Sequence, residues 1–401
     1  MKAITMLAAV LALCSAALAQ DQQMGARTKA MGGSYTAFED DPVSIWLNPA
    51  GIAVQPDSGA LAYHTYTSYP VKQERVGGVI DTEAEAETMV VDPAVIPSYL
   101  GFVFQLGSPE SPMALGVCYA RPYHIKYAMD FLADPSQTDF VPRSNVDQSF
   151  SRFRVAFAKD FRIRNQGEAG FLTHVAVGAG VDLSYERWEF TQQTTVQQAT
   201  ITTVDKDTTV AGGYGLGVLV GLYDNASSFK VNLGAAYHSS IEYEFDIQPD
   251  ILPAFDMPQQ VNAGITFYLL EETPLRLTFD FQWIDWSATA EDPLFPGQPS
   301  FEDAMNFSVG AEYRIKIAEN VFLFPRAGFR RFDAPWEDED DLPVTGMYKL
   351  VFDTKGEVFN MFTYGVGISW TTKEGKLRSV DVAGDAGGDS VNFAVGYTHE
   401  F

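Results

Sequence analysis

The sequence predicts an all-β protein, a transmembrane antiparallel β-barrel of about 14 strands, and three observations support this prediction. Segments with period-two alternation of apolar and polar residues recur along the chain. Short and long connections alternate between these segments, as in barrels with short turns at one end and long loops at the other. The chain also ends on such a segment, 391–401, with an aromatic residue at its C-terminus. A water-soluble β-sandwich accounts for the alternation but gives no reason for this order of connections.

The first 19 residues are typical of a secretory signal, and they form the first of three predicted regions. Lys2 supplies the positive start, a short apolar run follows, and Ala17-Leu18-Ala19 has the small-residue pattern of a cleavage site. The apolar run is too short to cross a bilayer as a helix. We therefore expect export, cleavage near Ala19, a non-alternating segment at 20–58 and the barrel at 59–401.

Composition excludes several classes of protein. The formal net charge of −25 argues against nucleic acid as a partner. Beyond the signal the only cysteine is Cys118, so an internal disulfide is excluded. No later segment approaches the roughly 18 consecutive apolar residues of a membrane helix. A barrel fits this composition because half of each strand faces a polar lumen.

The alternating segments and the connections between them set the predicted topology. The segments are 59–69, 98–107, one from 113, 150–161, 172–190, 208–223, 229–245, 258–270, 275–286, 305–317, 321–332, 360–370, 376–383 and 391–401. Short turns are predicted at 107–112, 162–171, 224–228, 271–274, 318–320 and 371–376. Long connections are predicted at 70–97, 121–149, 187–207, 239–257, 287–304 and 333–359. Because the strand number is even, both ends of the barrel segment lie on the side of the short turns, which is the periplasmic side.

Signals of catalysis are weak. The five histidines are dispersed, none has metal-ligand spacing to a cysteine or another histidine, and no Gly-x-Ser-x-Gly elbow occurs. The glycine-rich run at 213–217 mimics a phosphate-binding loop, but it lies in an alternating segment with no predicted helix after it. Small residues facing the lumen explain it better. We predict no enzyme activity, no cofactor and no metal.

The final segment resembles the C-terminal assembly signal of Gram-negative outer-membrane proteins. Phe393, Val395, Tyr397 and Phe401 share one face, while His399 departs from the usual aliphatic or aromatic pattern. The resemblance implies an interaction with the barrel assembly machinery and a place in the outer membrane.

The segment 20–58 carries three short motifs and does not alternate. They are Met31-Gly32-Gly33, Asp40-Asp41 and Asn48-Pro49-Ala50-Gly51. Together they resemble the N-terminal signature of FadL-type (OmpP1/FadL/TodX) outer-membrane transporters of hydrophobic compounds, and equally that of PorV/PorQ-type barrels of the type IX secretion system. The stretches 237–245, 279–286 and 326–332 also resemble FadL relatives, so the likeness covers nearly the whole mature chain.

The FadL resemblance implies a mechanism. External loops capture a hydrophobic ligand such as a long-chain fatty acid from the lipopolysaccharide layer, a lumenal hatch formed by 20–58 shifts, and the ligand leaves sideways at a kink in the third strand. Pro122, which cannot donate to a strand ladder, marks that opening here; alternatively the strand simply ends at Ala120. Met31, Trp46 and Leu47 are the candidate ligand contacts. The PorV resemblance implies instead a shuttle or partner for secreted proteins.

Overall fold

The computed structural model describes thirteen stretches of the chain. They are 24–38, 40–65, 97–108, 110–130, 140–164, 169–196, 199–225, 228–243, 256–269, 274–289, 302–333, 358–387 and 390–401. The predicted signal at 1–19 lies outside them, as does most of the predicted long connections 70–97, 239–257, 287–304 and 333–359.

One antiparallel sheet closes on itself. Its strands are β1 Ser58–Thr65, β2 Tyr99–Gln105, β3 Met113–Asp130, β4 Phe140–Arg162, β5 Gly170–Val196, β6 Ala199–Asp224, β7 Phe229–His238, β8 Gln260–Leu269, β9 Leu275–Ile284, β10 Ala304–Tyr313, β11 Ile315–Ala318, β12 Val321–Asp333, β13 Val358–Thr371, β14 Leu377–Gly387 and β15 Ser390–Glu400. Each strand pairs with its chain neighbour, except that β12 pairs with both β10 and β11, and β1 pairs with β15. β10 and β11 are two parts of one strand that is interrupted at Arg314, since both pair with β12. Counted in this way, the barrel has the predicted 14 strands.

The two faces of the wall have opposite chemistry. On β13, Phe362, Tyr364, Val366 and Ile368 are 42–66% exposed, whereas Thr363 between them is buried. Other strands repeat this pattern, with large apolar side chains outside and small or polar ones inside. Such an exterior would be unfavourable in water and suits lipid, so the predicted assignment of the faces is confirmed.

The connections are partly as predicted. The six short connections are confirmed by the bounds of the strands that flank them, and the last of them lies at the same end of the barrel as the C-terminus, since Arg378 pairs with His399. The long connections at 121–149 and 187–207 are wrong, because β3 to β6 extend through most of them. The stretch 187–207 is largely polar on both faces but rich in threonine, whose β-branched side chain favours strands. In 121–130 the alternation continues past Pro122, with Tyr123, Ile125, Tyr127 and Met129 at every second position.

The third strand is distorted but continuous. Its register with β4 shifts between Ala120 and Tyr123, which places Arg121 and Pro122 in a bulge, and the strand then continues to Asp130. The alternative in which it ends at Ala120 is therefore wrong. Its pairing with β2 ends at Tyr99–Ala120, after which the Arg121 N–H donates to the Ser98 carbonyl at 2.8 Å.

The terminal strand closes the barrel. Phe393 and Val395 on β15 point outward and are both 49% exposed, while Ala394 is buried. Tyr397, His399 and Phe401 form a row of ring contacts, with centroids 5.6 and 5.5 Å apart. Recognition by the assembly machinery stays a prediction.

A short segment lies inside the barrel. It contains the helices α1 Ala26–Ala30 and α2 Ser44–Leu47 and a 3-10 helix Pro49–Val54. Its residues contact strands from opposite sides of the wall, with Ala30 against Gly365 of β13 and Pro49 against Gly178 of β5. We call residues 24–57 the plug. A second 3-10 helix, Ser287–Thr289, follows β9. No helix among the described residues is long and apolar enough to cross a membrane.

Candidate functional site

The turn after α1 brings the plug close to the wall. Gly32 and Gly33 both have positive φ, +71° and +85°, a conformation that glycine adopts without steric cost. A Cβ on Gly32 would lie 2.8 Å from the carbonyl oxygen of Phe329 and 3.0 Å from that of Val309. The Met31-Gly32-Gly33 motif therefore allows a tight turn directly against β10 and β12.

The Asn48-Pro49-Ala50-Gly51 motif attaches the plug to β6. The Asn48 amide donates to the carbonyl oxygens of Thr36 at 2.7 Å and Val218 at 3.1 Å, and its own oxygen accepts the Ala50 N–H at 3.1 Å. Pro49 starts the 3-10 helix, where its missing N–H costs nothing, and Gly51 donates to the Asn48 carbonyl. One side chain thus joins two parts of the plug and the wall.

The wall carries glycine where the plug packs against it. A Cβ on Gly217 of β6 would lie 2.1 Å from the Asn48 side-chain oxygen and 2.9 Å from Pro49 Cδ. The predicted role of the 213–217 run, small residues facing the lumen, is thereby explained, because the plug backbone occupies the space.

Asp280 of β9 holds the middle of the plug. One carboxylate oxygen accepts the backbone N–H groups of Tyr35 and Thr36 at 2.8 and 2.7 Å, and the other accepts the Ser34 hydroxyl at 3.0 Å. A carboxylate bound by several N–H and O–H donors makes strong, charge-assisted hydrogen bonds.

An ion-pair network links α1 to strands β9, β10 and β12. Arg27 contacts Asp40 at 3.1 Å and Glu312 of β10 at 2.9 Å, and Arg276 of β9 contacts the same two carboxylates at 2.6 and 3.2 Å. Arg326 of β12 donates to Glu312 at 2.7 Å and extends the network into the wall.

A second buried ion pair joins Lys29 of α1 to Asp385 of β14, with side chains 1% and 2% exposed.

The two aspartates of the Asp40-Asp41 motif differ. Desolvation in the lumen would by itself raise the pKa of Asp40, but Arg27 and Arg276 outweigh it and hold that pKa below its usual value. Burial raises the pKa of Asp41, an effect that Arg27 only partly offsets. Asp41 is also fixed structurally, since it accepts the Tyr35 hydroxyl at 2.9 Å and the Val43 N–H at 3.0 Å.

Arg154 of β4 anchors α2. It is 1% exposed, makes a bidentate pair with Asp182 at 2.6 and 2.7 Å, and donates to the Trp46 carbonyl at 2.8 Å. Its guanidinium lies 5.1 Å from the centroid of the Trp46 ring and 3.1 Å from Nδ1 of His238. This is the cation-π and carboxylate geometry in which a buried arginine is well satisfied.

A cavity opens between the plug and strands β7 to β12. It holds about 580 Å³ of empty space, counting its mouth. Most of the side chains that reach it are polar: Tyr35, Thr36, His238, Asn262, Asp280, Gln282, Asn306, Ser308 and Arg330. Gly32, Gly33 and Leu47 of the plug form the floor. A small molecule entering the lumen here would therefore touch the plug directly.

Of the three predicted ligand contacts, one lines the cavity and two are buried. Leu47 lines the cavity, whereas Met31 and Trp46 are 0% and 1% exposed and pack behind it. Met31 belongs to a small cluster with Tyr35 and Phe38, and Trp46 lies under Arg154. Pro122 lies in the β3 bulge, apart from the cavity lining.

Sequence reasoning missed the wall residues that hold the plug. They are Arg154, Asp280, Glu312 and Asp385, each at an inward position of an alternating strand. A charged residue at such a position was a usable signal, but the sequence does not tell which of them meet the plug.

Metal chemistry has no support in the described part of the chain, where no three histidine, cysteine, aspartate or glutamate side chains cluster as metal ligands.

Comparison with known proteins agrees with this architecture. The family model of the outer membrane protein transport proteins (OMPP1/FadL/TodX) matches residues 5–251. No curated protein matches the chain.

Solved structures share the fold at low sequence identity. A FadL homologue of Pseudomonas aeruginosa is 11% identical with a TM-score of 0.57, covering 94% of this chain and 98% of that one. The toluene transporter TbuX of Ralstonia pickettii is 15% identical with a TM-score of 0.53, covering 95% and 99%. The toluene transporter TodX of Pseudomonas putida is 13% identical with a TM-score of 0.52, covering 95% and 99%.

Proposed function

The chain belongs to the OMPP1/FadL/TodX family of outer membrane protein transport proteins, and from this membership we propose that it is an outer-membrane channel for diffusive uptake of hydrophobic compounds. The observation that carries the proposal is a closed barrel with an apolar exterior whose lumen is filled by an N-terminal plug. An open aqueous pore would leave the lumen clear, whereas a plugged lumen requires movement of the plug or a sideways exit.

The attachments of the plug support a role as a movable hatch. Besides an apolar cluster shared with β1 to β6, they include polar contacts: the Asn48 amide, the Asp280 carboxylate and the Arg27 network. A hydrogen bond contributes a net ~1 kcal/mol, so single contacts of this kind can be exchanged for contacts with water or a ligand. A ligand in the cavity touches Leu47 directly and reaches Met31 and Trp46 only after the plug shifts. We propose that these three side chains contact it in turn.

The lateral opening is proposed at Pro122. The bulge interrupts the β3–β4 register, and the pairing of β3 with β2 ends just before it. Within the described residues, β3 beyond the bulge pairs with β4 alone. Proline cannot donate to a neighbouring strand, so the wall is weakest there.

Pro122→Val tests the opening. Valine restores the N–H and should strengthen pairing across the gap, so uptake of labelled dodecanoate should fall severalfold in cells with equal amounts of folded barrel. Unchanged uptake would exclude an exit at this position.

The orientation follows from the same proposal. The short turns and the C-terminus lie on the periplasmic side, the long connections face the lipopolysaccharide, and the signal is removed near Ala19. The row of Phe393, Val395, Tyr397 and Phe401 meets the barrel assembly machinery during insertion.

The decisive experiment measures uptake of labelled dodecanoate and labelled toluene by intact cells that lack their own transporter. Matched cells express a barrel in which Asn48-Pro49-Ala50 is replaced by Leu-Ala-Ala. Saturable uptake of either probe by the parent protein, lost in the variant, is the expected result. No uptake of either by surface-folded protein would refute the proposal. Retention of secreted proteins on the purified barrel would then favour the secretion-partner hypothesis drawn from Met31-Gly32-Gly33.

A further inference from the structure

The polar side chains of the cavity are not equally satisfied. Gln282 donates to the Gln260 amide oxygen at 3.2 Å and accepts from Asn306 at 2.9 Å. The Asn306 oxygen in turn accepts the Asp333 N–H at 3.2 Å. Asp280 is used by the plug. These amides and carboxylates form part of the structure and leave little capacity for a ligand.

Asn262 of β8 is the exception. It lines the cavity and is 8% exposed, yet its side-chain oxygen has no hydrogen-bond partner. Its strand alternation fixes the orientation, because Val261 next to it is 37% exposed on the outer face. An unpaired buried polar group is costly and rare in native proteins unless a ligand or water completes it. The Asn262 side chain therefore points into the barrel with an acceptor that lacks a hydrogen-bond donor.

We propose that this cavity is a binding site for largely apolar molecules that carry a neutral hydroxyl group, and that Asn262 recognises the hydroxyl. This inference rests on the proposed transport function and specifies its substrate class. The unpaired atom of Asn262 is an acceptor, so the group that completes it must donate a hydrogen bond, and a neutral hydroxyl does so.

The charges around the cavity favour a neutral group. Asp280 and Arg330 both line it, so the lining has no excess of either sign for an ion. Leu47 provides an apolar contact for the rest of the molecule. A phenol fits this description, since its pKa of about 10, like that of tyrosine, keeps it neutral at pH 7.

Selectivity should follow from the amide. A purely apolar pocket barely discriminates a hydroxyl from a methyl, whereas a site with a buried polar group rejects the analogue that leaves this group unpaired. p-Cresol and p-xylene are a matched pair, differing only in a hydroxyl replaced by a methyl of similar size.

The test is equilibrium dialysis of labelled p-cresol and labelled p-xylene against the purified full-length barrel, with binding to empty detergent micelles subtracted. We expect p-cresol to bind about tenfold more tightly, which corresponds to ~1.4 kcal/mol. Asn262→Leu, with as many side-chain heavy atoms, should reduce this ratio to about one by weakening the binding of p-cresol alone. Tyr268→Phe removes a polar group from the same strand outside the cavity lining and should leave the ratio unchanged.

Equal binding of the two probes by the parent protein would overturn the inference even if Asn262→Leu failed to fold. Retention of the tenfold preference by a folded Asn262→Leu variant would also overturn it. Absence of binding of either probe counts against this site alone, because the transport function is judged separately by uptake of dodecanoate and toluene.

Discussion

Replacing Asn48 by leucine should release the plug without unfolding the barrel. Leucine has as many side-chain heavy atoms as asparagine but neither donor nor acceptor. The change removes the bonds to the carbonyl oxygens of Thr36 and Val218 and the bond from the Ala50 N–H. Of these groups only the Val218 carbonyl belongs to the wall, so the strand ladder stays intact.

The magnitude follows from counting the lost bonds. Each hydrogen bond contributes a net ~1 kcal/mol, and the loss is larger where the partner stays buried and unsatisfied. Three bonds give about 3 kcal/mol for local opening of the plug. Since each 1.4 kcal/mol is about a factor of ten, backbone exchange in the plug should accelerate by roughly two orders of magnitude.

Hydrogen exchange followed by mass spectrometry of peptides from 24–57 measures this opening directly. Asn225→Leu is the matched control, because the Asn225 side chain donates to the Ser228 hydroxyl at 3.1 Å in the exposed connection after β6. It should leave plug exchange unchanged. Parent-like exchange in the Asn48→Leu plug would refute the reasoning and show that other contacts hold this segment.

Two further predictions concern the same plug. Gly217→Val places a side chain where the plug amide lies, since even a Cβ would be 2.1 Å from it, and should increase proteolytic cleavage within 24–57; unchanged cleavage would contradict the close packing. Lys29→Met leaves the buried Asp385 carboxylate without its cation, while Asn392 still donates to it at 2.8 Å, and the plug should lose up to about 3–5 kcal/mol. Adding Asp385→Leu should recover most of the lost exchange protection; additive losses would argue against a direct pair.

The barrel could be predicted from the sequence. Alternation such as that of Phe362 to Ile368 reports which face meets lipid, because side chains on a strand point to opposite faces in turn. Turns such as 318–320 are short enough to identify from sequence. The strand extensions at 187–207 were not predicted because neither of their faces is consistently apolar, which weakens the period-two signal. The extension of β3 over 121–130 keeps its alternation, but Pro122 interrupts the strand pattern there.

The candidate site could be predicted from the sequence only in part. The motifs around Gly32 and Asn48 identified the plug segment. Glycine is the residue that favours positive φ, and asparagine is one that bonds its neighbouring backbone, so both features can be predicted from residue type. Their wall partners were not identified. Asp280 and Asn262 occupy similar inward positions on adjacent strands, yet one is consumed by the plug and the other is left unpaired.

The sequence by itself determined the fold class, the strand order and the segment that cannot be a strand, because each of these depends on local periodicity and turn chemistry. The tertiary structure alone decided which inward residues touch the plug and which amide near the lumen is left unpaired. Those features depend on closure of the sheet, which brings residues hundreds of positions apart, such as Lys29 and Asp385, into contact. No local pattern encodes that distance.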